Sequence, residues 1–196
     1  MRDPENIREV EKTGADWMGF IFFSKSPRYV AQKPEYLPEK TKRVGVFVNA
    51  SETDILKKAD EFGLNIIQLH GKEPACLCEA LRSKGLKVMK VFSLKTETDV
   101  AETETYSDCA DYFLFDTPCS GYGGSGKRFD WSLLSHYKGS TPFILSGGLS
   151  PISVDALKDF GHPQWAGIDL NSGFEIEPAI KDVKALKEFI NKIEDE

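Results

Sequence analysis

Asp116 closes the apolar run Tyr112–Phe115, and Asp169 lies in a similar run, Ala166–Leu170. A carboxyl at the end of a buried run points into the mouth of the sheet that the run helps to build. Desolvation there favours its protonated form and suits it to general-acid work. For Asp116 a helix cap or a loop hydrogen bond is the lesser alternative, and Asp169 is a second carboxylate in the same mouth. Two glycine turns follow neighbouring apolar runs, Ser146-Gly147-Gly148-Leu149-Ser150 and Asn171-Ser172-Gly173. Glycine lets backbone N–H groups approach an anion closely, and a helix N-terminus adds partial positive charge, so the pair reads as a phosphate site. The plainer reading of either turn alone is a tight connection between a strand and a helix. Arg28, in Ser26-Pro27-Arg28, could offer a planar fork to a substrate carboxylate, although a lone arginine is more often solvated. His70 could serve as an acid or a base, but a histidine satisfied by a loop carbonyl is the commoner outcome.

The residues that carry this chemistry follow seven short apolar runs: Met18–Phe23, Arg43–Val48, Ile66–Leu69, Lys87–Phe92, Tyr112–Phe115, Phe143–Leu145 and Ala166–Leu170. Several are almost continuously apolar, as parallel strands buried on both faces must be. Amphipathic segments separate them, giving a repeating strand–helix pattern with about eight helices. Asp3-Pro4 opens the chain on a helix. Ser51 or Thr53 caps a second that stops at Gly63, and Glu73–Leu81 runs on to Gly85. Another begins at Ser150-Pro151. The last spans about Ile180 to Ile193, with Val183, Leu186, Phe189, Ile190 and Ile193 on one stripe. In parallel α/β folds functional residues collect at the C-terminal strand ends, which is where the polar and glycine-rich segments fall.

With 196 residues, 40% hydrophobic and 29% charged, the chain can build one core, and a single domain over residues 1–196 is expected. No apolar stretch approaches the roughly 18 residues of a membrane span. A net charge of −6 disfavours an extended nucleic-acid surface, so any phosphate site must be local. The first residues lack the apolar segment of a secretory signal, which points to the cytoplasm. Cys76, Cys78, Cys109 and Cys119 are expected as reduced thiols, because Cys76-x-Cys78 is too tight for the usual zinc spacing.

In order and spacing, a set of these segments is similar to phosphoribosylanthranilate isomerase of tryptophan biosynthesis over nearly the whole chain. They are Gly19-Phe20-Ile21-Phe22 with Ser26-Pro27-Arg28-Tyr29-Val30; Val44-Gly45-Val46-Phe47-Val48-Asn49; Gln68-Leu69-His70-Gly71; Phe115-Asp116-Thr117 leading to Gly123-Gly124-Ser125-Gly126 and Phe129-Asp130-Trp131; Leu145-Ser146-Gly147-Gly148-Leu149; and Gly167 through Glu175. The resemblance implies an α/β fold of the TIM (β/α)8 barrel type and a cofactor-free, metal-free Amadori rearrangement of N-(5-phosphoribosyl)anthranilate. It makes Asp116 the acid, puts Arg28 on the anthranilate carboxylate and Asp169 near the anthranilate nitrogen, and gives the phosphate to Gly147, Gly148, Ser172 and Gly173. The glycine-rich loop after Asp116 would fold over the substrate. The segment Phe115-Asp116-Thr117 and the setting of Arg28 favour this family over other phosphate-binding barrels, such as indole-glycerol-phosphate synthase. A binding barrel without catalysis is the alternative from a different class.

The family's general base is a cysteine in a Lys-Ile-Cys-Gly-like segment just ahead of the positions matching Met1–Asn6. No cysteine of this chain matches it, so the resemblance implies a chain begun at an internal methionine, lacking the first barrel strand and its base, and nearly inactive. The lane that strand would fill is then expected to stay open, to collapse, or to be filled from another molecule through the exposed strand edges.

Overall fold

A computed structural model describes residues 1–117 and 130–194. Seven parallel strands form one sheet in chain order: β1 (Trp17–Ile21), β2 (Lys42–Phe47), β3 (Ile66–Leu69), β4 (Lys87–Ser93), β5 (Tyr112–Asp116), β6 (Phe143–Leu145) and β7 (Trp165–Ile168). Every neighbouring pair is parallel and joined by a crossover, which makes this an α/β sheet of the TIM-barrel type, curled with its inner face around a lumen. Each apolar run forms its strand within two residues of the expected bounds, because continuous Val, Ile, Leu and Phe leave the chain no amphipathic alternative.

Residue alternation divides the sheet into two layers. Phe47, Ile67, Leu69, Phe113, Phe115, Phe143 and Leu145 face outward into the main core, where Ile55 and Phe62 of α2 (Glu52–Phe62), Leu81 of α3 (Ala75–Ser83) and Leu186 and Phe189 of α6 (Val183–Glu194) meet them. Val44, Ile66, Met89, Val91, Leu114 and Ile144 form a smaller inner cluster. Helix α1 (Pro4–Glu11) is capped by Asp3, whose side chain accepts from the Asn6 N–H, and α2 is capped by Ser51 and ended by Gly63 at φ 58°. The helix after β6 is shorter than expected, α5 (Val154–Lys158) following a turn of 3-10 helix, and after β4 the short α4 (Glu97–Ala101) leads into another such turn.

Two expectations change. The helix expected from Glu73 starts at Ala75, with Glu73 drawn into the preceding turn. The last helix starts at Val183, because Ile180–Lys181 instead forms β9, an antiparallel partner of β8 (Glu175–Glu177). Among the described residues no strand pairs with the outer edge of β1 or β7. On β1 that edge is met by isolated groups: the Met1 amine donates to Gly19 O at 2.7 Å and the Val30 N–H to Ile21 O at 2.9 Å.

Candidate active site

The inner face puts one polar side chain at the top of each of several strands. Asp116 shares the parity of Leu114, Gln68 that of Ile66, Ser93 that of Val91 and Ser146 that of Ile144, so each points inward. All four line one cavity of about 1120 Å³, together with His70, Arg28, Gly147, Gly148, Asp169 and Ser172. The aspartates, the arginine, the Gly147-Gly148 turn and Ser172 are thus brought to a single mouth, whereas Gly173 lies behind Ser172 and does not line it.

Asp116 is the centre of this arrangement. Burial pushes its carboxyl above the ordinary carboxylate range; Asp169 adds to this, while His70, the Thr117 N–H and the Ser146 hydroxyl act the other way. Gly147, at φ 85°, lies against it: a Cβ there would stand 2.3 Å from Thr117 Oγ1 and 2.7 Å from Asp116 Oδ1. Only glycine admits this approach. The two glycine turns also touch, since a Cβ on Gly173 would meet Leu149 O at 2.1 Å. Ser146 Oγ donates to Asp169 Oδ2 at 3.0 Å and so stands between the two carboxyl groups.

Arg28 reaches the cavity in a different state from a solvated fork. Its Nε and Nη2 donate to the Glu175 carboxylate at 2.6 to 2.9 Å, and only 12% of its side chain is exposed. Burial alone would raise Glu175, but Arg28 and Lys181 outweigh it and hold that carboxyl below its ordinary range. Lys181 also donates to Leu170 O at 3.1 Å and Asn171 Oδ1 at 2.9 Å, bracing the turn before Ser172. Glu175 lies 147 residues from Arg28, and neither it nor Lys181 gave a sequence signal as a partner.

His70 does not rest on a loop carbonyl, as the commoner outcome would have it. Its Nδ1 lies 3.2 Å from Gln68 Nε2 and its Nε2 lies 3.6 Å from Asp116 Oδ2. Ser146 and Gln68 were also missed as site residues, although their inward parity with Ile144 and Ile66 was readable. Cys76, Cys78 and Cys109 are free thiols on α3 and before β5, and none lines the cavity. Burial pushes the Cys78 thiol up to about 12, which leaves it unreactive. Cys119 and the glycine-rich segment Gly121–Lys127, expected to close over a substrate, lie outside the described residues.

Comparison with known proteins agrees with this geometry. The family model for N-(5'-phosphoribosyl)anthranilate isomerase matches residues 1–192. An N-(5'-phosphoribosyl)anthranilate isomerase of Phocaeicola vulgatus is 60% identical over 193 residues, covering 98% of this chain and 94% of the relative. The crystal structure of the Thermotoga maritima enzyme superposes with a TM-score of 0.84 at 36% identity, covering 98% of this chain and 95% of that one. A structure of such an isomerase in complex with reduced 1-(o-carboxyphenylamino)-1-deoxyribulose 5-phosphate matches at 0.78 and 32% identity, with 98% of both chains covered. Family model, relatives and fold therefore agree that this chain belongs to the N-(5'-phosphoribosyl)anthranilate isomerase family.

Proposed function

We propose that the cavity carries out the Amadori rearrangement of N-(5-phosphoribosyl)anthranilate to 1-(2-carboxyphenylamino)-1-deoxyribulose 5-phosphate, a cofactor-free step of tryptophan biosynthesis in the cytoplasm. One observation carries the reading: the half-buried Asp116 carboxyl lies against the Gly147 turn, so that an acid and an anion cradle share one wall. A related isomerase solved with a reduced, phosphorylated product analogue supports the substrate class.

In this reading protonated Asp116 gives its proton to the furanose ring oxygen. The C1–O bond breaks, the anthranilate nitrogen lone pair forms C=N, and the ring opens to an imine. Removal of the C2 proton by a base moves the electron pair into an enolamine, which tautomerises to the ketone. Backbone N–H groups of Gly147, Gly148, Ser172 and Gly173 hold the phosphate. The Arg28 donors that Glu175 does not use face the anthranilate carboxylate, and Asp169, steadied by Ser146, orients the nitrogen.

The base is the remaining part. The resemblance gives it to a cysteine, and the three described cysteines stand away from the cavity. With no described cysteine in the cavity to serve as that base, slow turnover is expected of these residues, together with self-association through the edges of β1 and β7.

Calorimetric titration with the reduced product analogue tests the site. Binding is expected, displaced by inorganic phosphate, kept by Asp116→Asn, and weakened at least about tenfold by Arg28→Ala. No binding, or binding indifferent to phosphate, overturns the assignment. Turnover followed by loss of anthranilate fluorescence tests the base separately: a rate equal to that of the Phocaeicola vulgatus relative overturns its absence from these residues.

A further inference from the structure

The proposed reaction leaves Gln68 and His70 without a task, although both line its cavity. Gln68 is an inward residue of β3 and is 7% exposed. Its amide nitrogen stands 3.2 Å from His70 Nδ1. An amide N–H directed at Nδ1 makes that nitrogen the acceptor, so the neutral ring keeps its proton on Nε2. Nε2 is the nitrogen that looks at Asp116, 3.6 Å from Oδ2.

The ring is also held from behind. Gly71 N–H donates to both Glu73 carboxylate oxygens, at 3.0 and 2.9 Å, and the Lys90 ammonium donates to Gly71 O at 2.6 Å and Leu69 O at 3.3 Å. Both peptide units flanking His70 are thereby fixed. A donor held 3.6 Å from a neutral acid stops short of a full hydrogen bond. It strengthens as that acid becomes an anion, which is the property that favours a transition state over a ground state.

We infer that Gln68 and His70 are a positioning pair for the general acid: Gln68 holds His70 in the Nε2–H tautomer, and that N–H stabilises the Asp116 carboxylate left when the proton has gone to the ring oxygen. The proton count closes without further groups. Asp116 loses one proton to the substrate, while His70 keeps its own and Gln68 changes nothing but orientation. The inference rests on Asp116 being the acid of the proposed reaction. The other groups facing Asp116 are Asp169 after β7, with the buried Lys181 beside it, the Ser146 hydroxyl after β6, and the Thr117 N–H of its own strand end. None of these sits on β3, so changes at Gln68 and His70 isolate the pair.

The test needs no substrate. The chain has three histidines, so the long-range proton–nitrogen spectrum of uniformly labelled protein resolves each ring. The Nε2–H tautomer is expected for neutral His70, a mixture in Gln68→Leu, and the Nδ1–H tautomer in Gln68→Glu, whose carboxylate accepts from Nδ1. Carbon-detected titration of Asp116 is expected to move to higher pH in His70→Leu, and in the same direction but less in Gln68→Leu. A parent protein carrying the Nδ1–H tautomer overturns the inference, and so does an Asp116 titration that both variants leave in place. Should His70→Leu fail to fold, the parent tautomer and the Gln68 variants still decide. If these spectra behave as stated while the product analogue does not bind, the proposed reaction fails and the electrostatic pairing stands.

Discussion

Asp116 occupies a place where ionisation is costly. It is half-buried, beside a second carboxyl, and pressed against a turn that admits no larger residue than glycine. Its folded-state carboxyl therefore titrates above the ordinary value of 3.8. Between those two points the native state binds more protons than the unfolded chain, so stability falls as pH rises through that window, and the penalty is complete only above it. Asp116→Asn keeps the shape and cannot ionise. Above that window it should raise the melting temperature by roughly 2–4 °C, the response to about 1 kcal/mol in a chain of this size. Below the carboxylate range, where Asp116 is neutral too, the gain should vanish. Calorimetry giving equal melting points for the two proteins at every pH up to the alkaline limit of the fold would remove the argument that burial tunes this acid. At this scale the sequence was readable where a residue closes an apolar run, as Asp116 and Asp169 do. It was silent where a partner comes from far along the chain, as Glu175 does for Arg28, because pairing across 147 residues is decided by the sheet and not by local pattern.

Elements hold these residues through their ends, and the end of β3 is held by an ion pair buried behind it. The side chains of Lys90 on β4 and Glu73 before α3 are 4% and 1% exposed, with Nζ and Oε2 3.0 Å apart. Glu73 also accepts from the Asn49 N–H after β2 at 2.8 Å, so the C-terminal ends of β2 and β3 and the middle of β4 are tied at one point. Asn49 itself is held at φ 52°, and its side chain accepts from the Lys72 N–H. Lys90→Met would leave the Glu73 carboxylate buried without a counter-charge, a loss on the order of 3–5 kcal/mol. Adding Glu73→Gln should recover part of it. Urea unfolding that finds Lys90→Met within 1 kcal/mol of the parent would argue against the clamp. The pattern of strands was legible because continuous apolar runs admit one reading, and the same continuity concealed Lys90, a charged residue in the middle of β4 that gave no sign of its buried partner. Helix starts were less legible. Glu73 and Lys181 have unremarkable local propensities, and it is the buried groups they must satisfy that draw them out of the helices expected to contain them.

Across the whole molecule the sheet is well closed at its centre and open at its margins. All four residues of β3 are buried, whereas those of β7 are half-buried or exposed. The cavity runs from Asp116 through the lumen to Thr13–Trp17 at the opposite rim and is bordered by Ile190 and Ile193 of α6. An inner layer of six buried residues cannot fill such a space. The lane between β7 and β1 therefore offers backbone donors and acceptors on two edges and apolar side chains behind them, the combination that recruits another strand. In dilute solution the amide of Gly19, whose carbonyl faces that lane, should exchange at least about a hundredfold faster than those of Val88–Val91 in β4. As concentration rises, light scattering should report self-association, and that amide should become protected. Both observations are needed, since association through another surface would raise the mass and leave the edges exchanging. A monomer at all concentrations with slowly exchanging β1 and β7 amides would mean that the sheet has drawn its margins together, and the volume of the lumen in solution would then be smaller than the cavity described above.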